Sequence, residues 1–493
     1  MRAAVRHSLR WSTAVSAEWA GGNGFFTAGA HRTVHGGLRD LLPIIKDIPS
    51  PDLIERIIME PYTRESFVGD IMRLGNGKPD PALVDALVDD SRAAIAWLAK
   101  FVQIPFAFSF DRQAYEVDGR QRFWGGMVLS VENGGKGLIA AHQKALERAG
   151  VQIWFNTPAL SFVMLDDKIT GLVVRKDGHE MVLGARAVIL AAGGFEASEE
   201  LREKYLGAGW AQARVRGTPY NTGDGFALAR AVGAKFTGDS AGCHSTAWDA
   251  NAAANAGARD LTNQYTKSGY PLGIMVNTSG VRFVDEGEDY RNYTYAKFGR
   301  AILSQPGGFA FQIWDSQVIA SLRKEEYGDG IVEKIFASTI QELAERLVQN
   351  GLTNKDSFLT TWKEFNEAIY CHRHEHPGLR WDPAVKDGLS TQSKTKQLKL
   401  PKSNWALPLD RPPFLAVKVA CGITFTFGGL AIDPQSAAVL REDGREIPGL
   451  FCTGEMVGGL FYDNYPGGSG LTGGAVFGMK AGRSAARLKF SFI

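Results

Sequence analysis

EMVLGARAVILAAGG, residues 180–194, is a continuously apolar run that closes on paired glycines. Such a run is expected for a buried parallel strand whose carboxyl end delivers a loop to a ligand. Just upstream lie VQIWF (151–155), ALSFVML (159–165) and ITGLVVR (169–175). These short runs, rich in β-branched and aromatic residues and separated by turn signals, read as further strands. Before them, residues 81–103, opening PALVDALVDD, place apolar residues at helical spacing. GKGLIAAHQKALERAG (135–150) is a second helix, opened by glycines and closed by Gly150. The pattern predicts an α/β body.

Downstream the texture changes. From about 235 to 370 aromatic and charged residues interleave, and TIQELAERLVQN (339–350) and SFLTTWKEFNEAIY (357–370) carry amphipathic stripes. This predicts an inserted α+β domain over 235–375, flanked by the two parts of the body at 1–234 and 376–493. Residues 376–412 hold five prolines and few apolar runs, so they read as a loop-rich return. The final GSGLTGGAVFGMKAGRSAARL (468–488) is a glycine-opened helix whose positive N-terminus suits an anion or an electron-rich ring edge.

Composition narrows the function. With 493 residues and 44% apolar content the chain can bury a large core, and a net charge of +2 gives no pull toward nucleic acid. No apolar run approaches the roughly 18 residues that span a bilayer. The 57 glycines cluster as pairs at predicted strand ends, which suggests backbone approaching a ligand closely. Four cysteines without a CxxC pair point to a reducing compartment, the cytoplasm. The first 17 residues contain three arginines, three serines and no acid, a composition that makes the mitochondrion the alternative. CHRHEHPG (371–378) sits in a charged, proline-terminated context and reads as a solvated loop rather than a metal site.

Six motifs then appear in order: GGNGFFTAGA (21–30), ARAVILAAGGFEAS (185–198), TGDGFALARAVGA (222–234), GVRFVDEGED (280–289), GGLAID (428–433) and IPGLFCTGEMVGG (447–459). Together they resemble the flavoprotein family of fumarate reductase and succinate dehydrogenase subunits, which includes the 3-ketosteroid dehydrogenases. RGTPYNTGDG (216–225), CGITFTFGG (421–429) and DEGED (285–289) are most similar to its FAD-dependent tricarballylate dehydrogenases. The resemblance implies a Rossmann-like FAD-binding domain and an FAD-dependent dehydrogenase acting on a CH–CH bond of a carboxylate substrate, with an electron acceptor that the sequence does not specify. Desaturation of a 3-ketosteroid or other cyclic ketone is the alternative.

By that resemblance Gly21, Gly22, Asn23, Thr27, Ala28 and Gly29 line the flavin and pyrophosphate, and Ala192 and Gly193 cover the adenosine. Asp224 lies near the flavin. Glu455 would accept from ribityl or ribose hydroxyls, and Gly470 and Leu471 would present N–H groups to the pyrimidine edge. No histidine stands where the family's covalent flavin link is made, which implies non-covalent FAD; His31 and His35 lie beyond the loop. Arg291 would relay the proton, one position beyond the family spacing. His244 matches a substrate histidine, Thr424 stands where the family's second substrate histidine falls, and Tyr465 replaces a carboxylate-clamping arginine. Arg32 and Arg216 are then the candidate cations for a substrate carboxylate.

A dinucleotide site of this type opens with a strand, a GxGxxG turn and an acid, within about 30 residues. Upstream of Gly21 the sequence offers no apolar strand, no glycine turn and only Glu18 as an acid. The expectation is a truncated opening with an exposed sheet edge and an apolar patch; the alternative to a family enzyme is a non-catalytic homologue that does not retain FAD.

Overall fold

The computed structural model describes residues 9–488. The arginine-rich residues 1–8 lie outside that range. A strand does precede Gly21: β1, Arg10–Ser12, pairs in parallel with β2, Gln152–Trp154. This corrects the reading of the opening as strandless. The strand is three residues long and partly exposed, so it carries no apolar run for a periodicity argument to detect.

Helix α1, Pro81–Trp97, forms where expected. The Asp80 carboxylate accepts from the N–H groups of Ala82 at 2.8 Å and Leu83 at 3.2 Å, and proline opens the helix. Its buried face includes Leu83, Leu87, Val88 and Ile95. Helix α2 is Gly134–Arg148.

The apolar run of 180–194 is not one strand. Strands β3 (Ala159–Leu165), β4 (Lys168–Lys176) and β5 (His179–Gly184) form an antiparallel meander. The chain then resumes as β6, Val188–Leu190, which pairs in parallel with residues 450–452. Most of β5 is solvent-exposed, so only the second half of the run meets the expectation of a strand feeding a loop. Among the described residues, the other edges of β1 and β6 carry no partner strand. Ile189 on β6 is 40% exposed.

After α3, Asp224–Ala231, the chain enters a six-stranded sheet. It contains β7 (Cys243–Asp249), β8 (Ile274–Asn277), β9 (Phe309–Trp314) and β10 (Ile335–Ala337). Between β8 and β9 runs α4, Arg291–Leu303; helices α5 (Ile340–Gln349) and α6 (Lys355–Glu375) follow β10. The sheet closes on β11, Phe414–Thr426, which pairs with β7, β9, β10 and residues 214–215.

Two expectations change here. The inserted unit does not end at 375: Ala406, Leu409, Phe414 and Ala416 share a core with Leu343, Phe358 and Phe365. The proline-rich segment thus packs on the inserted sheet, while Cys421 and Ile423 in the second half of β11 share the core of the body. The histidines of 371–376 are also not in a loop, because α6 continues to Glu375 and buries His372 against the ring of His376. Among the described residues no cluster of ligands suits a metal ion, and no helix is long and apolar enough to cross a membrane.

The chain returns through β12 (Ala438–Leu440) and β13 (Glu446–Cys452), where β13 pairs with β6, and ends in α7, Ser469–Arg487, packed on α1.

Helix α4 sits against β7 so closely that a Cβ on Gly299 would meet the backbone of Ser245 and Thr246. Gly299→Ala should therefore lower stability by about 1–3 kcal/mol. Gly69→Ala, in helix Arg64–Leu74 with open space around it, should be neutral or stabilising by up to about 1 kcal/mol. Urea midpoints of the two variants check the contrast.

Candidate active site

One cavity of about 2400 Å³ runs between the two units, well above the roughly 300–1,000 Å³ of ordinary small-molecule sites. Gly21, Gly22, Asn23, Thr27, Ala28, Ala192, Gly193, Asp224, Glu455, Gly470 and Leu471 all line it. Gly29 does not; it turns with φ +69° and packs against Val131 and Gly134. The free edges of β1 and β6 line the same cavity.

Local geometry explains this convergence. Gly193 follows β6 with φ +76°, a left-handed turn, and a Cβ on Gly194 would collide with the Glu455 carboxylate. The amide of Asn23 ties the first glycine loop to the rest: its Oδ1 accepts from Thr218 N at 2.8 Å. Its Nδ2 donates to the Thr424 carbonyl at 2.5 Å and to Glu196. At the other wall α7 begins after Gly468, and the buried Ser469 hydroxyl has no hydrogen-bond partner among the described residues. Nineteen residues of aligned peptide dipoles place the positive helix end at Gly470 and Leu471.

The inner end of the cavity is built from β7, α4 and β11. His244, Arg216, Arg291, Thr424 and Tyr465 converge there, whereas Arg32 does not. Arg32 is fully buried elsewhere, donating to the Gly467 carbonyl at 2.8 Å and to Tyr62 and Tyr293 hydroxyls, with Asp70 at 3.4 Å. It fastens the loop before α7 rather than facing a ligand. His31 lies on the cavity wall, where burial lowers its imidazole to about 4. His35 is buried away from it.

Arg216 donates to the Thr424 hydroxyl at 2.7 Å and to Asn263, and burial lowers its guanidinium below the usual value. Burial, helped by the charge on Arg216, drives His244 well below the ordinary histidine range, so its ring is neutral. Around it stand Tyr295 and Tyr465, whose hydroxyls lie 2.8 Å apart; burial raises both phenols. Arg291 reaches the Arg112 carbonyl and the Tyr115 hydroxyl and lies over the Trp124 ring. It does not pair with Asp289, which holds Arg73 at 2.9 Å and Lys386 at 2.7 Å.

Two further cations complete the group and carry no signal in the sequence. Arg323 donates to the Arg112 carbonyl at 2.7 Å and to Glu326 at 2.8 Å; Arg112 pairs with Glu325 at 2.6 Å and lies 3.7 Å from Glu326. Both line the cavity. Four guanidiniums therefore face two contacting carboxylates. Among the described residues the Nε atoms of Arg216, Arg291 and Arg323, His244 Nδ1, Asn263 Nδ2 and Asn292 Oδ1 are buried without partners. This end of the cavity therefore carries more guanidinium than carboxylate charge.

A family model described as FAD binding domain matches residues 58–471. The chain belongs to this family. FAD is accordingly its cofactor, and the glycine cradle, Glu455 and the N-terminus of α7 fit that group. The chain is 28% identical over 434 residues to a probable fumarate reductase, Ifc3, of Shewanella frigidimarina, covering 86% of this chain and 64% of that protein. It is 29% identical over 383 residues to a 4-oxocyclohex-2-ene-1-carboxylate 5-dehydrogenase of Sinomonas cyclohexanicum, covering 73% and 60%. The chain thus spans less than two thirds of the length of either relative. In fold it is similar to the 3-ketosteroid Δ1-dehydrogenase of Sterolibacterium denitrificans, with TM-score 0.69, 19% identity, and coverage of 98% and 95%.

Glu326 holds the cationic end together. Burial alone would raise its carboxyl, but Arg323, Arg112 and the Ser268 N–H and hydroxyl outweigh it and hold the value at about 2. Its stabilisation is complete above the ordinary glutamate value and is lost as pH falls toward about 2. Glu326→Gln should cost about 3–5 kcal/mol at neutral pH and remove that acid limb, read from urea unfolding across pH.

Proposed function

We propose that this chain is an FAD-dependent dehydrogenase or reductase acting across a C–C bond of a carboxylate-bearing small molecule, with a tricarballylate-like polycarboxylate as the substrate class. The observation that carries this reading is the surplus of guanidinium groups, those of Arg112, Arg216, Arg291 and Arg323, on the residues that line the inner end of the cavity. FAD, when bound, supplies a two-electron acceptor or donor for hydride transfer.

The chain's own residues divide the remaining work. Arg216 and Arg323 hold carboxylates, and their partners fix where those carboxylates sit: Thr424 and Asn263 for the first, Glu326 and Arg112 for the second. Arg291, anchored by Arg112 and Tyr115 on the cavity lining, is the residue we assign to handle the proton at the reacting carbon. Neutral His244 adds a hydrogen-bonding group without further charge. The electron acceptor is a separate partner of unspecified chemistry.

A second reading rests on one observation, the hydrogen-bonded Tyr295–Tyr465 pair beside His244. Such a hydroxyl pair suits polarising the carbonyl of a cyclic ketone, and the Sinomonas relative, a 4-oxocyclohex-2-ene-1-carboxylate dehydrogenase, acts on a molecule with both ketone and carboxylate. A third reading, a homologue that does not retain FAD, is answered by the visible flavin absorbance of the purified chain.

A dye-linked assay separates the catalytic readings. Arg216→Gln should raise KM for a di- or tricarboxylate by about tenfold or more, the loss of a charged hydrogen bond worth about 1.5–3 kcal/mol. Tyr465→Phe should lower turnover of a cyclic ketone by about 10²–10³ if that reading holds, with a smaller loss on the carboxylate. Equal KM for wild type and Arg216→Gln contradicts the carboxylate reading.

A further inference from the structure

Beside the glycine loop lies a pair of carboxyls, one buried and one part-buried, that none of the roles above uses together. Glu196, at the end of the loop that leaves β6, is fully buried, and Glu455 lines the cavity. Glu196 Oε1 accepts from Asn221 Nδ2 at 2.6 Å and from Asn23 Nδ2. Its Oε2 has no partner with an N–H or hydroxyl to offer among the described residues. Glu455 Oε1 accepts from the N–H of Thr426 at 2.7 Å and its hydroxyl at 3.2 Å, and Oε2 lies 3.5 Å from the same Asn221 amide.

The two carboxyls converge on one amide, Asn221 Nδ2 lying 2.6 Å from Glu196 Oε1 and 3.5 Å from Glu455 Oε2. Ionised carboxylates only accept, so a hydrogen bond between them requires a proton on one. No lysine, arginine or histidine forms an ion pair with either among the described residues. Of the charged groups nearby, Arg202 is engaged by the carbonyls of Glu196, Trp210 and Ala211, and Arg216 by Thr424 and Asn263. Glu199, on the next turn, and Asp224, hydrogen-bonded from Thr222, add only negative charge.

We infer that Glu196 and Glu455 share one proton, carried on Glu196 Oε2, and that this proton is what lets Glu455 receive the cofactor. The assignment follows the donors: Oε1 of Glu196 already takes both amides, and Oε2 is the atom left to donate. With the proton in place the wall carries one negative charge, on Glu455, ready to accept from the hydroxyls of a ribityl or ribose chain. Without it two like charges would meet at the Asn221 amide and disturb the Asn23 and Asn221 contacts that position the glycine loop. Glu196 is thus a positioning residue. Burial, reinforced by Glu455, raises its carboxyl well above the usual range, and burial raises Glu455 also.

The linkage has a definite sign. The proton is present below the pair's raised ionisation and lost above it. FAD affinity should therefore be flat at lower pH and fall by about tenfold per pH unit beyond that ionisation, with one proton taken up on binding there. Glu196→Gln keeps an acceptor for the amides and supplies a permanent donor toward Glu455, so its affinity should not vary with pH.

This inference rests on FAD occupying the cavity, and the test separates the two. Infrared spectra of the purified chain, needing no cofactor, should contain a protonated-carboxyl band that titrates away at high pH and is absent in Glu196→Gln. Titration with FAD, followed by flavin fluorescence, and calorimetry of the wild type in two buffers of different ionisation enthalpy then read the linkage. A band lost on titration and a pH-dependent affinity with proton uptake support the pair. Absence of the band, or wild-type FAD affinity that is flat across the same range, overturns it. Failure to bind FAD at any pH counts against the cofactor reading, and the infrared band alone then decides the shared proton.

Discussion

Strand β11, thirteen residues from Phe414 to Thr426, holds the two units in one arrangement. Its first half pairs with β9 and β10, and its second half with β7 on one edge and residues 214–215 on the other. Backbone pairing of this extent leaves little freedom of register, because a slip by one residue would turn every buried side chain to the wrong face. The strand's end is consequently a fixed platform. Thr424 takes Arg216, the Thr424 carbonyl takes Asn23, and Thr426 takes Glu455. Arg216, the first glycine loop and Glu455 are thus all referenced to two residues of one strand, Thr424 and Thr426.

The electrostatics of the cavity follow from that platform. At the inner end, arginines from four separate segments meet with too few acids to neutralise them, and a neutral histidine stands between. Beside the glycine loop the imbalance is reversed, with Glu196 buried, Glu455 part-buried and no cation ion-paired to either among the described residues. The like charges of the arginines raise the energy of the empty inner end, while a proton shared by Glu196 and Glu455 would spare the other end that cost. Pre-set polar groups of this kind cost no reorganisation when a ligand arrives, which is how such sites act on developing charge.

The sequence made much of the body legible and much less of the inner end. The strands of 151–175 were readable because β-branched and aromatic runs alternate with turn signals, and helices α1 and α2 because their apolar residues recur at helical spacing. The glycine motifs could be ordered because their spacing is local. The inserted unit's far boundary was not readable: residues 376–412 are poor in apolar runs, and only tertiary packing of Ala406 and Leu409 reveals which core they join. Arg112 and Arg323 were invisible for a related reason. They meet across 211 residues, and neither sits in a motif. Arg32 misled because an arginine beside a glycine loop reads as ligand-facing, while its actual partners are a carbonyl, two tyrosines and Asp70. Glu196 lay in plain sight within AAGGFEAS, but its significance depends on Asn23 and Asn221 arriving from elsewhere.

The central claim is that the inner cavity selects carboxylate charge. The most direct measurement is calorimetric titration of the FAD-loaded chain with a tricarboxylate and, separately, with its triamide of the same shape. The account predicts that the tricarboxylate binds, with an affinity that falls as salt is added, and that the triamide does not bind. Equal binding of the two, or binding of the triamide alone, would contradict it.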